Sequence, residues 1–321
     1  MMRKTTKVWL ITAAALVLLG CILFAGVMTT LKWDFSKLST VRYETNTHEV
    51  GEPFVNISLT TDNADIIFAL SGDGKCRVEC HEEENATHSV TVENNTLTIN
   101  INDRRSWYDY AGFHFGSKKI TVYLPKTEYD TLSVRKSTGN IEIPKDFAFA
   151  DADISVSTGC VNFFAAAREA VRIVTTTGNI RVENTAVGSL DLSATTGAVT
   201  VSGVNCRGDI TLIVSTGKTD LTDISCRSMT SRGTTGDISL NNVIAAEKLS
   251  VERSTGYVRF DGCDAAGLYI KTTTGSVTGS LLTDKVFITE TATGSVEVPK
   301  TASGGRCEIR TTTGNIKIKT K

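Results

Sequence analysis

From Leu132 to the C-terminus the chain alternates apolar and polar positions in short bursts that restart on a fixed beat. Each burst has two small, mostly hydroxylated residues, a glycine, one variable residue, then alternating aliphatics. The glycines are Gly139, Gly159, Gly178, Gly197, Gly217, Gly236, Gly256, Gly275, Gly294 and Gly314, always 19 or 20 residues apart. The residue before each is Thr in all ten copies, from Thr138 to Thr313. Two positions after the glycine the column is aliphatic except for Thr219, and four after it is apolar except for Gly279. Five before it is mainly aliphatic, with Ser231 and Thr289 as exceptions, and seven before it is always apolar. Period-two alternation rich in β-branched residues is the signature of a half-buried strand. Each repeat therefore reads as two short strands joined at a Thr-Gly corner, where glycine adopts a positive φ at little cost.

A 19–20-residue unit of this kind cannot bury enough apolar surface alone and must stack on its neighbours. Stacking also satisfies the backbone donors and acceptors along both strands. The expectation is an all-β fold: a parallel β-solenoid of about ten turns spaced by ~4.8 Å, behind one N-terminal transmembrane helix. A leucine-rich repeat needs a Leu-x-x-Leu-x-Leu frame, and a propeller blade needs ~40 residues; the repeats show neither. Four positions before the glycine, successive turns carry Arg232, Glu252, Lys271, Glu290 and Arg310. Stacked in chain order, these would alternate in sign, as neighbouring strands prefer.

Ahead of the repeats, Val8 to Leu31 is an uncharged run long enough to cross a bilayer, flanked by Trp9 and Trp33. Arg3, Lys4 and Lys7 precede it, which places the N-terminus in the cytoplasm and the body outside. A cleaved signal peptide has a shorter apolar core. Leu18-Leu19-Gly20-Cys21 loosely matches a lipoprotein box, but Ile22, Leu23 and Phe24 prolong the apolar run past the cysteine. The division expected is residues 1–33 as tail and membrane helix, 34–45 as stalk, 46–125 as an irregular β-rich head or cap, and 126–321 as regular solenoid. Strands are expected in the head at Phe54–Leu59, Asp65–Leu70, Cys76–Cys80, Ser89–Val92, Leu97–Ile101 and Ile120–Leu124, with a hairpin turn at Asn94-Asn95. Thr60 to Ile66 echoes the repeat phrase, with Asn63 near the glycine place. Lys317, Lys319 and Lys321 would sit on the last strand and guard its open edge.

Charge narrows the function. With 34 basic and 35 acidic residues, no basic face suited to nucleic acid emerges. Seven cysteines lie outside the membrane run, an odd number without clustered spacing, so no disulfide framework is expected. Cys206 and Cys226 should nevertheless stack on adjacent turns, either bridged or as small apolar residues. Cys76, Cys80, His81 and His88 invite a metal reading. Adjacent Cys80 and His81 must face opposite sides of a strand, and Cys-x3-Cys is not a usual zinc spacing, so neither metal nor cofactor is expected. Asp220, Asp237, Asp261 and Asp284 fall in different columns, so no paired carboxylates are expected for glycan hydrolysis. The Ser/Thr-Thr ladder could order water on a flat face, but hydroxyls bonding within the corner are the expected arrangement. The most unusual composition is Arg104-Arg105-Ser106-Trp107-Tyr108-Asp109-Tyr110-Ala111-Gly112-Phe113-His114-Phe115. Five aromatics (Trp107, Tyr108, Tyr110, Phe113 and Phe115) flanked by Arg104 and Arg105 suit stacking on sugar rings or anchoring a peptide, or else plug the end of the core.

The anchor, the irregular β head, the segment Ile120-Thr121-Val122-Tyr123-Leu124-Pro125, then Leu132-Ser133-Val134 and the repeated Ser-Thr-Gly-Asn-Ile phrases together resemble the bacterial LiaG-like putative-adhesin family. The resemblance spans about residues 45–321. It implies a cell-envelope β-strand-repeat protein and supplies no catalytic residues. The expected function is a non-enzymatic envelope-surface adhesin or scaffold, with a cell-wall glycan or another envelope protein as partner. The alternatives are an envelope-stress sensor or modulator acting with a membrane partner, and a polysaccharide-processing β-helix enzyme.

Overall fold

The computed structural model describes residues 4–34, 41–106 and 116–320. The helix α1 (Lys4–Thr30) is exposed along almost its whole length. Its segment Thr5–Thr30 is long and apolar enough to cross a membrane. Among the described residues, all other regular structure is one continuous sheet of 23 strands wound on itself.

Seven strands build the N-terminal end: β1 (Tyr43–Val50), β2 (Asn56–Thr61), β3 (Ala64–Leu70), β4 (Cys76–Glu83), β5 (Ala86–Glu93), β6 (Thr96–Asp103) and β7 (Lys118–Leu124). The regular turns follow with β8 (Glu128–Thr138), β9 (Ile141–Ile143), β10 (Ala148–Thr158), β11 (Val161–Phe163), β12 (Ala166–Thr177), β13 (Ile180–Thr196), β14 (Val199–Cys206), β15 (Asp209–Thr216), β16 (Thr219–Thr235), β17 (Ile238–Thr255) and β18 (Val258–Thr274). The last five are β19 (Val277–Leu281), β20 (Lys285–Thr293), β21 (Val296–Glu297), β22 (Gly305–Thr313) and β23 (Ile316–Thr320). Residues 43–45, placed in the stalk by sequence, begin β1; its mostly polar positions carry little strand signal.

From β8 onward the turns pair in parallel, and the columns two and four after the glycine, and five and seven before it, converge on one core. The alternation of 19- and 20-residue turns does not disturb the corners. The extra residue is taken up at a bend nine to eleven positions after the glycine, where pairing shifts between Cys226 and Ser228 opposite Ala245 and Lys248. A further corner lies six positions after the glycine. Asn184, Gly203, Asp223, Asn242 and Gly262 hold φ between 50° and 61° there, a left-handed turn that Asn, Asp and Gly tolerate best.

The N-terminal end continues the same ladder, so residue 125 marks no break in the sheet. β2–β3 stacks directly on β8–β9, and β6–β7 stacks on β2–β3. Ala64 sits level with Gly139, one residue later than the echo around Asn63 suggests. The parallel stack stops where β4 runs antiparallel to β7, β5 to β6 and β1 to β4. The β5–β6 hairpin turns through Asn94 and Asn95, both at positive φ.

At the opposite end the chain order is broken. β18 pairs with β22 and β19 with β23, while β20 and β21 pair outside them. The final turn of the chain is inserted beneath the one before it. Two expectations change as a result. The charge column runs Arg232, Glu252, Lys271, Arg310, Glu290, so Lys271 faces Arg310 and strict alternation is lost. Lys317 has strand partners on both sides and guards no edge, Lys319 is paired with Ser280 on one side, and Lys321 lies outside the described residues. The edge is β20–β21, and Thr289 breaks its aliphatic column there because that turn's interior is half open.

Candidate binding face

The Thr-Gly corners align in a single file. Every corner glycine except Gly294, which lies in the outermost turn, donates its N–H to the carbonyl of the threonine stacked next to it, as Gly197 does to Thr216 at 3.0 Å. Gly197 has a φ of 150°, and an ideal Cβ there would lie 1.9 Å from the Gly178 carbonyl oxygen. The corner thus needs glycine both for its dihedral and for the close approach of its neighbour. The variable residue after it carries a second ladder. The side chains of Asp65, Asn140, Asn179 and Asp237 accept N–H bonds from Asn140, Cys160, Ala198 and Tyr257 of the following turns, at 2.7–3.0 Å.

The invariant threonines are all exposed, and among the described residues none of their hydroxyls bonds within the corner. That expectation is corrected. The bonds come instead from the inward column three before the glycine, where Thr175, Thr272, Thr291 and Thr311 donate to glycine carbonyls. A register-perfect file results, with Thr158 beside Thr138 and Thr177 and so on to Thr274, Thr313 and Thr293.

β6 ends and β7 begins on the same side as this file. The described ends of the connection between them, residues 104–106 and 116–117, are fixed. Arg105 reaches Asp103 at 2.6 Å and Glu83 at 3.5 Å, with Asp62 at 3.6 Å, and Lys118 meets the other Glu83 oxygen at 3.0 Å. The Tyr43 ring packs where a Cβ on Gly116 would stand, and burial, with the Glu83 charge second, raises its phenol above the usual range. Arg105 is therefore engaged inward, whereas Arg104 is exposed and anchored through its backbone N–H to the Asn85 carbonyl. Trp107, Tyr108, Tyr110, Phe113 and Phe115 lie outside the described residues.

Beneath this network Cys80, Glu82 and His88 bring sulfur, carboxylate and imidazole within 4.8 Å of one another. Glu82 accepts from the His88 backbone N–H at 2.8 Å and from Asn46 at 2.8 Å, and meets His88 Nδ1 at 2.6 Å; His88 Nε2 meets the Thr61 hydroxyl at 2.8 Å. Burial pushes the Glu82 carboxyl up, but the His88 and Asn46 hydrogen bonds outweigh it and hold the net value low. Burial pushes the Cys80 thiol up to about 12, so a thiolate ligand is costly here. The carboxylate and imidazole are already saturated by protein groups and fit a structural network better than a metal. Cys76 is buried apart from this group and His81, exposed, bonds Thr45 instead. Cys206 and Cys226 are buried and unbridged.

On the far side of the same end, the loops after β1, β3 and β7 enclose a cleft of about 510 Å³ lined by Glu49, Glu52, Phe54, Asp73, Arg77 and Tyr129. Phe54 and Tyr129 stack at 5.9 Å. The Ser71 hydroxyl and the Lys75 backbone N–H hold the Asp73 carboxyl below its usual range, so it is an acceptor and not a proton donor. The sequence does not announce this cleft because its residues come from three loops and from the ends of β1, β4 and β8; the Gly72-Asp73-Gly74 turn was the one local hint.

Residues 54–319 match the family described as Toastrack DUF4097. No curated protein matches the chain in sequence. Three solved structures are similar over most of their length. A putative adhesin from Bacteroides fragilis is 16% identical with a TM-score of 0.44, covering 87% of this chain and 97% of its own. One from Parabacteroides distasonis is 13% identical with a TM-score of 0.45, covering 85% and 98%. One from Parabacteroides merdae is 13% identical with a TM-score of 0.44, covering 88% and 98%. The match does not carry the LiaG-like label that the sequence suggested. It spans the corner file, the inserted last turn and nearly all of the capped end, and on that extent the chain belongs to the Toastrack family.

Proposed function

We propose that this chain is a non-enzymatic envelope-surface protein of the adhesin or scaffold kind. The Thr5–Thr30 helix tethers it, with the N-terminus cytoplasmic and the solenoid outside. The observation that supports this reading is the file of exposed threonine hydroxyls. An outward position identical in ten turns, beside outward positions that vary from Arg to Glu to Ile, is not explained by packing or by internal hydrogen bonds. A rigid, evenly spaced row of donor-acceptor groups suits a partner that repeats, such as a cell-wall glycan strand. The connection between β6 and β7 starts and ends on that side, and its sequence supplies Trp107, Tyr108, Tyr110, Phe113 and Phe115 as rings suited to sugar stacking and Arg104 as a charge. The test is sedimentation of the detergent-solubilised full chain with purified cell-wall glycan. Replacing Thr196, Thr216 and Thr235 together by Arg should weaken binding at least ~10-fold with an unchanged melting midpoint, and Trp107→Ala with Tyr110→Ala should weaken it further. Wild-type binding by both variants would overturn the proposal.

A further inference from the structure

Three breaks in the repeat pattern meet at one place inside the solenoid. Thr219 and Ser231 interrupt aliphatic columns, and Gly233 occupies the inward column three before its corner glycine. In the next turn that column holds Arg253, which is 4% exposed. Its Nη2 donates to the Thr219 hydroxyl at 3.0 Å and to the Ser231 hydroxyl at 3.1 Å, and both acceptors are fully buried. Gly233 makes the room, since an ideal Cβ there would stand 2.2 Å from Arg253 Nη1. The substitutions are thus one feature: a guanidinium built into an otherwise apolar core.

The feature is incomplete in one respect. Arg253 Nε and Nη1 are buried without a hydrogen-bond partner. Thr219 and Ser231, each accepting from Nη2, keep their own protons, and among the described residues these meet no acceptor. The guanidinium and both hydroxyls therefore all have donors to spare, and among the described residues no carboxylate pairs with the charge. The acids beside Thr219 and Arg253 in sequence are turned outward, Asp220 to Lys218 at 2.8 Å and Glu252 to Arg232 at 3.4 Å. Burial pushes Arg253 down only to about 10, so it stays charged at neutral pH. An uncompensated buried charge and orphaned donors are among the costliest arrangements a core can hold.

We propose that Arg253, with the Thr219 and Ser231 hydroxyls, binds a small monovalent anion, chloride under ordinary conditions, in the solenoid interior. The test uses the full chain purified in detergent. Diffraction from crystals grown in bromide should show an anomalous peak within hydrogen-bond reach of Arg253 Nε or Nη1. At constant ionic strength, replacing gluconate by chloride should raise the melting midpoint by several degrees, because a ligand bound only by the folded state stabilises it. Ser231→Ala, which keeps the guanidinium, should shift the chloride concentration for half the effect upward by about tenfold, as expected for one lost hydrogen bond to a charged group. Arg253→Met should abolish the dependence. No bromide peak, or midpoints equal in chloride and gluconate, would overturn the site. So would a chloride response that Ser231→Ala and Arg253→Met both leave intact.

Discussion

At the scale of the residue, the corner glycine is the least replaceable position in the chain. Gly197→Val brings two penalties together: a β-branched residue at a φ of 150°, and a Cβ driven into the Gly178 carbonyl. The first alone costs about 1–3 kcal/mol, and the second has no flexible side chain to yield. Chemical denaturation should show a loss of about 3 kcal/mol or more, and an unchanged midpoint would mean that the corner relaxes freely. Lys136 makes the complementary case. It stands in the inward column at the first regular turn, donating to the Ala64 and Asn140 carbonyls where no glycine corner precedes it. Burial lowers its ammonium to about 8, with Asp65 partly opposing. The folded chain therefore releases this proton before the unfolded chain does, so the unfolded state binds more protons between about pH 8 and the ordinary lysine value of 10.5. Stability rises with pH across that window. Subtracting the stability curve of Lys136→Met from that of wild type should isolate the rise; a flat difference would place the ammonium in water.

Elements were legible in proportion to their periodicity. The Thr-Gly beat fixed the regular turns because alternation and corner chemistry agree ten times over, and Asn94-Asn95 announced its hairpin by residue type. β1 was missed because its pairing with β4, not its own polar pattern, holds it. The second corner, at Asn184, Asp223 and Asn242, carried a readable signal that the stronger glycine column obscured. Stacking order could not be read at all. β22–β23 repeats the phrase as faithfully as any turn, and only three-dimensional pairing shows it lying between β18–β19 and β20–β21. Engineered cysteines separate the two orders. Thr274→Cys with Thr313→Cys should oxidise to a disulfide, since those residues are direct partners at a spacing that a bridge tolerates. Thr274→Cys with Thr293→Cys should remain reduced, as Thr313 stands between them. Mass spectrometry after mild oxidation gives the answer, and the reverse pattern would restore chain order.

For the whole molecule the two ends are finished differently. The N-terminal end closes with antiparallel strands, aromatic packing and the Glu82–His88 network. The other end presents β20, whose outer backbone groups have no strand partner among the described residues. Its outward side chains include Val286 and Ile288, both more than a third exposed, and Phe287 is only partly covered. Lys317, which might have protected this edge, was carried between two strands with β23. An aliphatic, unpaired edge is a template for strand addition. The swapped order therefore has a consequence at the level of assembly: the full chain in detergent should self-associate as concentration rises. Val286→Lys with Ile288→Lys should suppress this without moving the melting midpoint, because both side chains already face solvent. Sedimentation velocity at two concentrations reads the first effect and calorimetry the second. Concentration-independent sedimentation of wild type would show the edge already covered, and a fall in the midpoint would show that these residues pack inward.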